Sequence, residues 1–162
     1  MIIMVTGATA GFGESITRRF VANGHKVIAT GRREERLKTL KDELGDNLYI
    51  AQLDVRNRAA IETLIADLPA EWQAIDVLVN NAGLALGLEP AHRASVEDWE
   101  DMIDTNNKGL VYMTRAVLPG MVRAIAAISS TSAPRRAAGL MPAVTSMGRP
   151  KLCAPVQPQS SH

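Results

Sequence analysis

Thr6-Gly7-Ala8-Thr9-Ala10-Gly11-Phe12-Gly13 stands between an apolar run, Ile2 to Val5, and a segment of helical periodicity. Three glycines at a strand-to-helix turn permit a tight bend. They also leave a backbone bare enough for a pyrophosphate to approach the free N–H groups of a helix start, whose dipole favours anions. An ordinary glycine-rich turn shares this pattern, and the position directly after the first apolar run favours the anion-binding reading. The second apolar run ends at Thr30-Gly31-Arg32-Arg33, where a site for NAD would carry an acid for the ribose hydroxyls. Two cations before Glu34-Glu35, in what reads as the first turn of a helix, are poorly placed unless an anion joins them. A 2′-phosphate held by guanidinium groups would do so, which makes NADP the expected cofactor over NAD. The competing reading is a solvated surface pair.

The elements that must carry these residues follow from periodicity. Ile2 to Val5, Lys26 to Thr30, Leu48 to Leu53 and Ile75 to Val79 read as buried strands. Between them, Gly11 to Asn23, Glu34 to Leu44 and Arg58 to Leu68 show helical spacing. Ser95-Val96-Glu97-Asp98 reads as a capping box before a long helix through Trp99, Met102, Ile103 and Val111, with the pattern ending at Pro119-Gly120. Alternation of this kind predicts an α/β fold, a doubly wound, Rossmann-like parallel sheet, here incomplete, with four strands. Residues 1–122 form the expected nucleotide-binding domain, and the composition from Ser129 to His162 predicts a poorly ordered segment.

Composition excludes several classes. The chain has 162 residues, 46% hydrophobic and 22% charged, as in a globular domain. One cysteine, Cys153, makes no internal disulfide, and with His25, His92 and His162 it makes no zinc set, so no metal is expected. No window approaches a membrane span, and a cytoplasmic location is the expectation. His25 and His92 read as solvated residues rather than ligands, Trp72 and Trp99 as packing residues, and Glu97, Asp98, Glu100 and Asp101 as a solvated helix start. The net charge of +1 hides an asymmetry: all 17 acids lie at or before Asp104, and residues 105–162 hold 7 Lys+Arg and no acid. A basic tail for nucleic acid or an acidic partner is the obvious reading. Four arginines and one lysine from 123 to 162, with no aromatic residue among them, argue against nucleic acid.

Asn80-Asn81-Ala82-Gly83 follows the fourth strand. With the Thr-Gly-x-x-x-Gly-x-Gly turn after the first, the chain resembles the short-chain dehydrogenase/reductase family over about residues 1–122. Within it the wording is similar to bacterial NADP-dependent 3-hydroxy acid dehydrogenases acting on serine and allo-threonine. The resemblance implies Gly7 to Phe12 at the pyrophosphate, with Gly13 also among the cofactor-binding residues, and Arg32 and Arg33 at the 2′-phosphate. It implies Asp54 and Val55 at the adenine, Asn81 at the ribose, and Asn106 as the asparagine of the catalytic tetrad. It further implies a small-molecule substrate and a homo-oligomer.

The family's Tyr-x-x-x-Lys pair and its serine are absent. Tyr49 falls in a strand, and Tyr112 follows Lys108 by four residues, in the reverse order. Reading the tail from the third base of each codon, with degenerate bases free, Ser146 to Lys151 can encode Tyr-Gly-Ala-Thr-Lys. The same frame supplies a strand and a serine upstream, the serine falling between Ala133 and Pro134. The expectation is therefore a family member whose frame is lost near Val122, with residues 123–162 out of frame and the chain inactive. The alternative is a silent NADP-binding fragment with a genuine basic tail.

Overall fold

The computed structural model describes residues 1–87 and 89–130. Four strands, β1 (Ile2–Thr6), β2 (Lys26–Gly31), β3 (Leu48–Gln52) and β4 (Val77–Val79), form one parallel sheet in the order β3-β2-β1-β4. Helices α1 (Gly11–Ala22), α2 (Glu34–Leu44) and α3 (Arg58–Asp67) are the crossovers, and α4 (Val96–Ile103) and α5 (Gly109–Ser130) follow β4.

Both faces of the sheet are covered, as parallel sheets require. Because side chains alternate along a strand, Ile3, Val5, Val27 and Ala29 point to one face, where Leu37 and Leu40 of α2 and Ile16 and Phe20 of α1 pack. Met4, Ile28 and Leu78 point to the other, against Ile61 of α3 and Met113 and Val117 of α5. This double burial explains why the strands read as continuous apolar runs.

Four expectations change. Strand β4 is only Val77–Val79, because Ile75 donates its N–H within a turn to Gln73 O. Asp76 there exchanges bonds with Ile2: its N–H donates to Ile2 O at 2.9 Å and its Oδ2 accepts from Ile2 N at 2.7 Å. Arg32 and Arg33 precede α2 rather than lying in its first turn, with Arg33 as the N-cap. The helix predicted to end at Pro119-Gly120 runs on to Ser130, with Pro119 inside it. Burial of Val117 and packing of Met121 on the core offset the bond that the proline cannot make. Residues 123–130 of the predicted tail are thus helical. Its remainder, 131–162, lies outside the described residues, together with Cys153, His162 and the positions assigned to the missing serine and tyrosine. Finally, Trp99 is 44% exposed, whereas Trp72 is buried against Tyr49 as a packing residue.

Among the described residues, no helix is long and apolar enough to cross a membrane, and no cluster of His, Cys, Asp and Glu could hold a metal ion.

Candidate functional site

A cleft of about 880 Å³ opens at the carboxyl ends of the strands, where the order reverses between β1 and β4. Its floor is the glycine turn. Gly7 has φ +66° and Gly11 φ +55°, conformations that L side chains rarely adopt. A Cβ on Gly13 would collide with Gly7 O and Asn81 Nδ2, so α1 enters directly against the turn. No side chain caps α1, because its N-cap is Ala10. The first N–H groups of the helix thus have no side-chain acceptor, an arrangement that suits an anion.

Asn81 braces this floor from β4. Its Nδ2 donates to Thr6 O (3.1 Å) and Gly7 O (3.0 Å), while Thr6 Oγ1 accepts from the N–H groups of Asn81 (3.0 Å) and Ala82 (2.9 Å). The two motifs that stand far apart in sequence are therefore one hydrogen-bonded unit.

On the opposite wall Arg32 and Arg33 line the cleft beside Thr9. Arg33 Nη2 donates to Thr9 Oγ1 at 3.2 Å, and Arg36 Nη1, from the first turn of α2, donates to Thr9 O at 3.3 Å. Gly31 admits Thr9 at close range, since a Cβ there would lie 2.7 Å from Thr9 Cγ2. Asp54 and Val55 complete this end of the cleft. The Arg56 side chain holds the Asp54 carboxyl below the usual range; burial opposes this, and the charge of Arg32 contributes least to it.

Asn106 lies in a π-helical turn, Asp104–Lys108, between α4 and α5. Such turns re-aim side chains within a helix and recur at functional sites. Its Oδ1 accepts from Leu84 N at 2.9 Å and its Nδ2 donates to Leu84 O at 2.8 Å, clamping the loop after β4. Asn106 does not itself line the cleft, but Leu84 does. Thr105, one residue earlier, lines it with a hydroxyl that is buried and has no hydrogen-bond partner.

Of the other residues expected at the site, Thr9, Ala10 and Phe12 line the cleft, Phe12 being 76% exposed. Ala8 is buried behind it, donating to Thr30 O at 2.9 Å, and Gly11 and Gly13 shape the turn without lining the cleft. Tyr49 and Tyr112 pack on the core of the α3/α5 face and do not line the cleft, and Lys108 is paired with Asp104 at 2.6 Å. Sequence reasoning missed Arg36, Arg56 and Thr105, and gave Thr6, inside the glycine motif, no role of its own. Asp101, taken as solvated, is engaged by Arg56 at 3.2 Å.

A parallel sheet with this glycine turn, its asparagine brace and a basic cleft wall defines a dinucleotide-binding dehydrogenase fold. The short chain dehydrogenase family profile matches residues 1–142, and the chain belongs to that family. The NADP-dependent 3-hydroxy acid dehydrogenase YdfG of Escherichia coli (strain K12) is 84% identical over 122 residues, which are 75% of this chain and 49% of that protein. The serine 3-dehydrogenase of Agrobacterium fabrum (strain C58 / ATCC 33970) is 48% identical over 121 residues, 75% of this chain and 49% of that protein. A closed form of serine dehydrogenase complexed with NADP+ superposes with a TM-score of 0.76 at 83% identity, covering 76% of this chain and 50% of the other. The chain thus spans about half the length of the curated relatives it matches.

Proposed function

We propose that this chain is the cofactor half of an NADP-dependent 3-hydroxy acid dehydrogenase, able to bind NADP(H) but not to catalyse turnover. The observation that carries the reading is an uncapped helix start at the floor of the cleft with Arg32 and Arg33 beside it. The dinucleotide fits the residues present: a side chain on Gly13 would force the floor apart, no acid stands at Arg32, and the buried Thr105 hydroxyl awaits a partner.

In this reading Gly7 to Phe12 receive the pyrophosphate, and Arg32 and Arg33 hold the 2′-phosphate. Asp54 and Val55 flank the adenine, Asn81 sits at the ribose, and Asn106 fixes the loop that closes the nicotinamide end. When bound, the cofactor supplies hydride chemistry at its nicotinamide. Turnover also needs a group that takes the proton from the substrate oxygen in oxidation and returns it in reduction. No Tyr-x-x-x-Lys pair exists anywhere in the sequence to provide it. The substrate class, small 3-hydroxy acids such as serine, comes from the relatives.

The residues from 123 onward are read as a different frame of the same gene. The 122-residue extent of the YdfG similarity and the loss of every acid after Asp104 support this.

Fluorescence titration with NADPH and NADH tests the binding claim. NADPH should bind roughly 10- to 100-fold more tightly, and replacing both arginines by alanine should remove the difference. Equal affinity for the two cofactors would refute the reading. NADP-dependent oxidation of serine should be absent from this chain. Sequencing the gene through codons 115–155 tests the frame, and an uninterrupted frame matching the tail would refute the frame change.

A further inference from the structure

Arg32 and Asp54 leave adjacent strand ends. Gly31 is paired with Gln52 in the β2–β3 register, the Leu53 N–H donates to Gly31 O at 2.9 Å, and Gln52 Nε2 donates to Arg32 O at 3.0 Å. Both side chains line the same cleft. A carboxylate in that position, left to itself, would pair with the nearest guanidinium and compete with any phosphate for it.

Asp54 is instead held from the other side. Arg56 Nε lies 3.1 Å from both Oδ1 and Oδ2, its Nη2 lies 2.7 Å from Oδ2, and its backbone N–H donates to Oδ1 at 3.0 Å. The remaining arm, Nη1, reaches Asp101 Oδ1 of α4 at 3.2 Å. Among the described residues, no side chain accepts a hydrogen bond from the Arg32 guanidinium. Asp54 is thus committed, and Arg32 is not.

We propose that Arg56 is a positioning residue for cofactor selectivity: by occupying the Asp54 carboxylate it keeps Arg32 available to a 2′-phosphate. The inference rests on the reading of the cleft as an NADP site. The depressed Asp54 carboxyl agrees with the geometry, since the Arg56 side chain is its first cause and Arg32 its last. Removing Arg56 would leave Asp54 to turn on Arg32, weakening the cofactor that carries the phosphate more than the one that lacks it.

The test uses the full chain and reads the ratio of Kd for NADH to Kd for NADPH, in which contacts common to both cofactors cancel. R56Q should lower this ratio roughly tenfold, the equivalent of one charge-assisted bond. The double variant R56Q/D54N, which removes the competing charge, should regain it. D101N cuts the tie to α4 but leaves Asp54 held, and should keep the ratio within about twofold.

An unchanged ratio in R56Q, no recovery in the double variant, or a loss in D101N as large as in R56Q would overturn the proposal. The last result would make Arg56 a mere staple between β3 and α4. If circular dichroism shows R56Q unfolded, R56K takes its place: a single ammonium cannot grip both carboxylate oxygens, so the ratio should fall about threefold. An unchanged ratio in R56K would likewise overturn the proposal. A wild-type chain without preference for NADPH would refute the NADP site and this inference with it. A wild-type preference left undiminished in R56Q would refute this inference alone.

Discussion

Gly13 shows how a residue chosen for its lack of a side chain couples two distant motifs. A Cβ there meets both the Gly7 carbonyl and the Asn81 amide, and neither can retreat without breaking the brace between β1 and β4. Gly13→Ala should therefore cost about 1–3 kcal/mol in urea unfolding, the range for overpacking, and should weaken NADPH binding at the same time. A wild-type midpoint with intact binding would contradict this. Gly24 and Gly45, where an added Cβ meets nothing within 4 Å, have no such packing role.

The π turn presents Asn106 to Leu84, and two hydrogen bonds between them tie that turn to the loop after β4. Asn106→Ala should raise hydrogen-exchange rates at Leu84 and its neighbours while leaving β1 to β3 unchanged. Protection at Leu84 equal to wild type would contradict it. Helix α3 begins at the Asn57 cap, whose Oδ1 accepts from Ala60 N at 3.1 Å. Asn57→Ala should cost about 1 kcal/mol in the same unfolding assay, the usual worth of such a cap. Periodicity placed α1, α2 and α3 almost to the residue, because each has a stop signal and a clean apolar stripe. It failed at Pro119, because a local breaker says nothing about the core on which Val117 and Met121 lie.

At the scale of the molecule, the sheet and the charge pairs set the response to conditions. Among the described residues, β4 pairs with β1 on one side and with nothing on the other. An open three-residue apolar edge is a template for association. The isolated chain should be marginally stable and prone to aggregate in light scattering, and a sharp cooperative melt of a soluble monomer would contradict that. Folding lowers the Asp54 carboxyl below its usual range, chiefly through the Arg56 side chain, so the folded chain holds that proton less tightly than the unfolded one. The stabilisation from the pair is complete above the unfolded value of about 4 and is lost as pH falls through the lower folded value. The urea midpoint should drop over that window in wild type and drop less in D54N.

The fold class, the glycine turn, the arginine pair and the absence of a proton donor were all legible in the residues alone. Each depends on local rules: apolar periodicity sets strand and helix, glycine sets the bend, and a missing Tyr-x-x-x-Lys is missing wherever the chain goes. What required the tertiary structure was every relation across the sheet. That Asn81 props up Gly7, that Asn106 clamps Leu84 from a π turn, and that Arg32 and Asp54 meet at one cleft are products of strand register and helix placement. Residues 22 and 74 positions apart acquire partners only when the backbone brings them within about 3 Å.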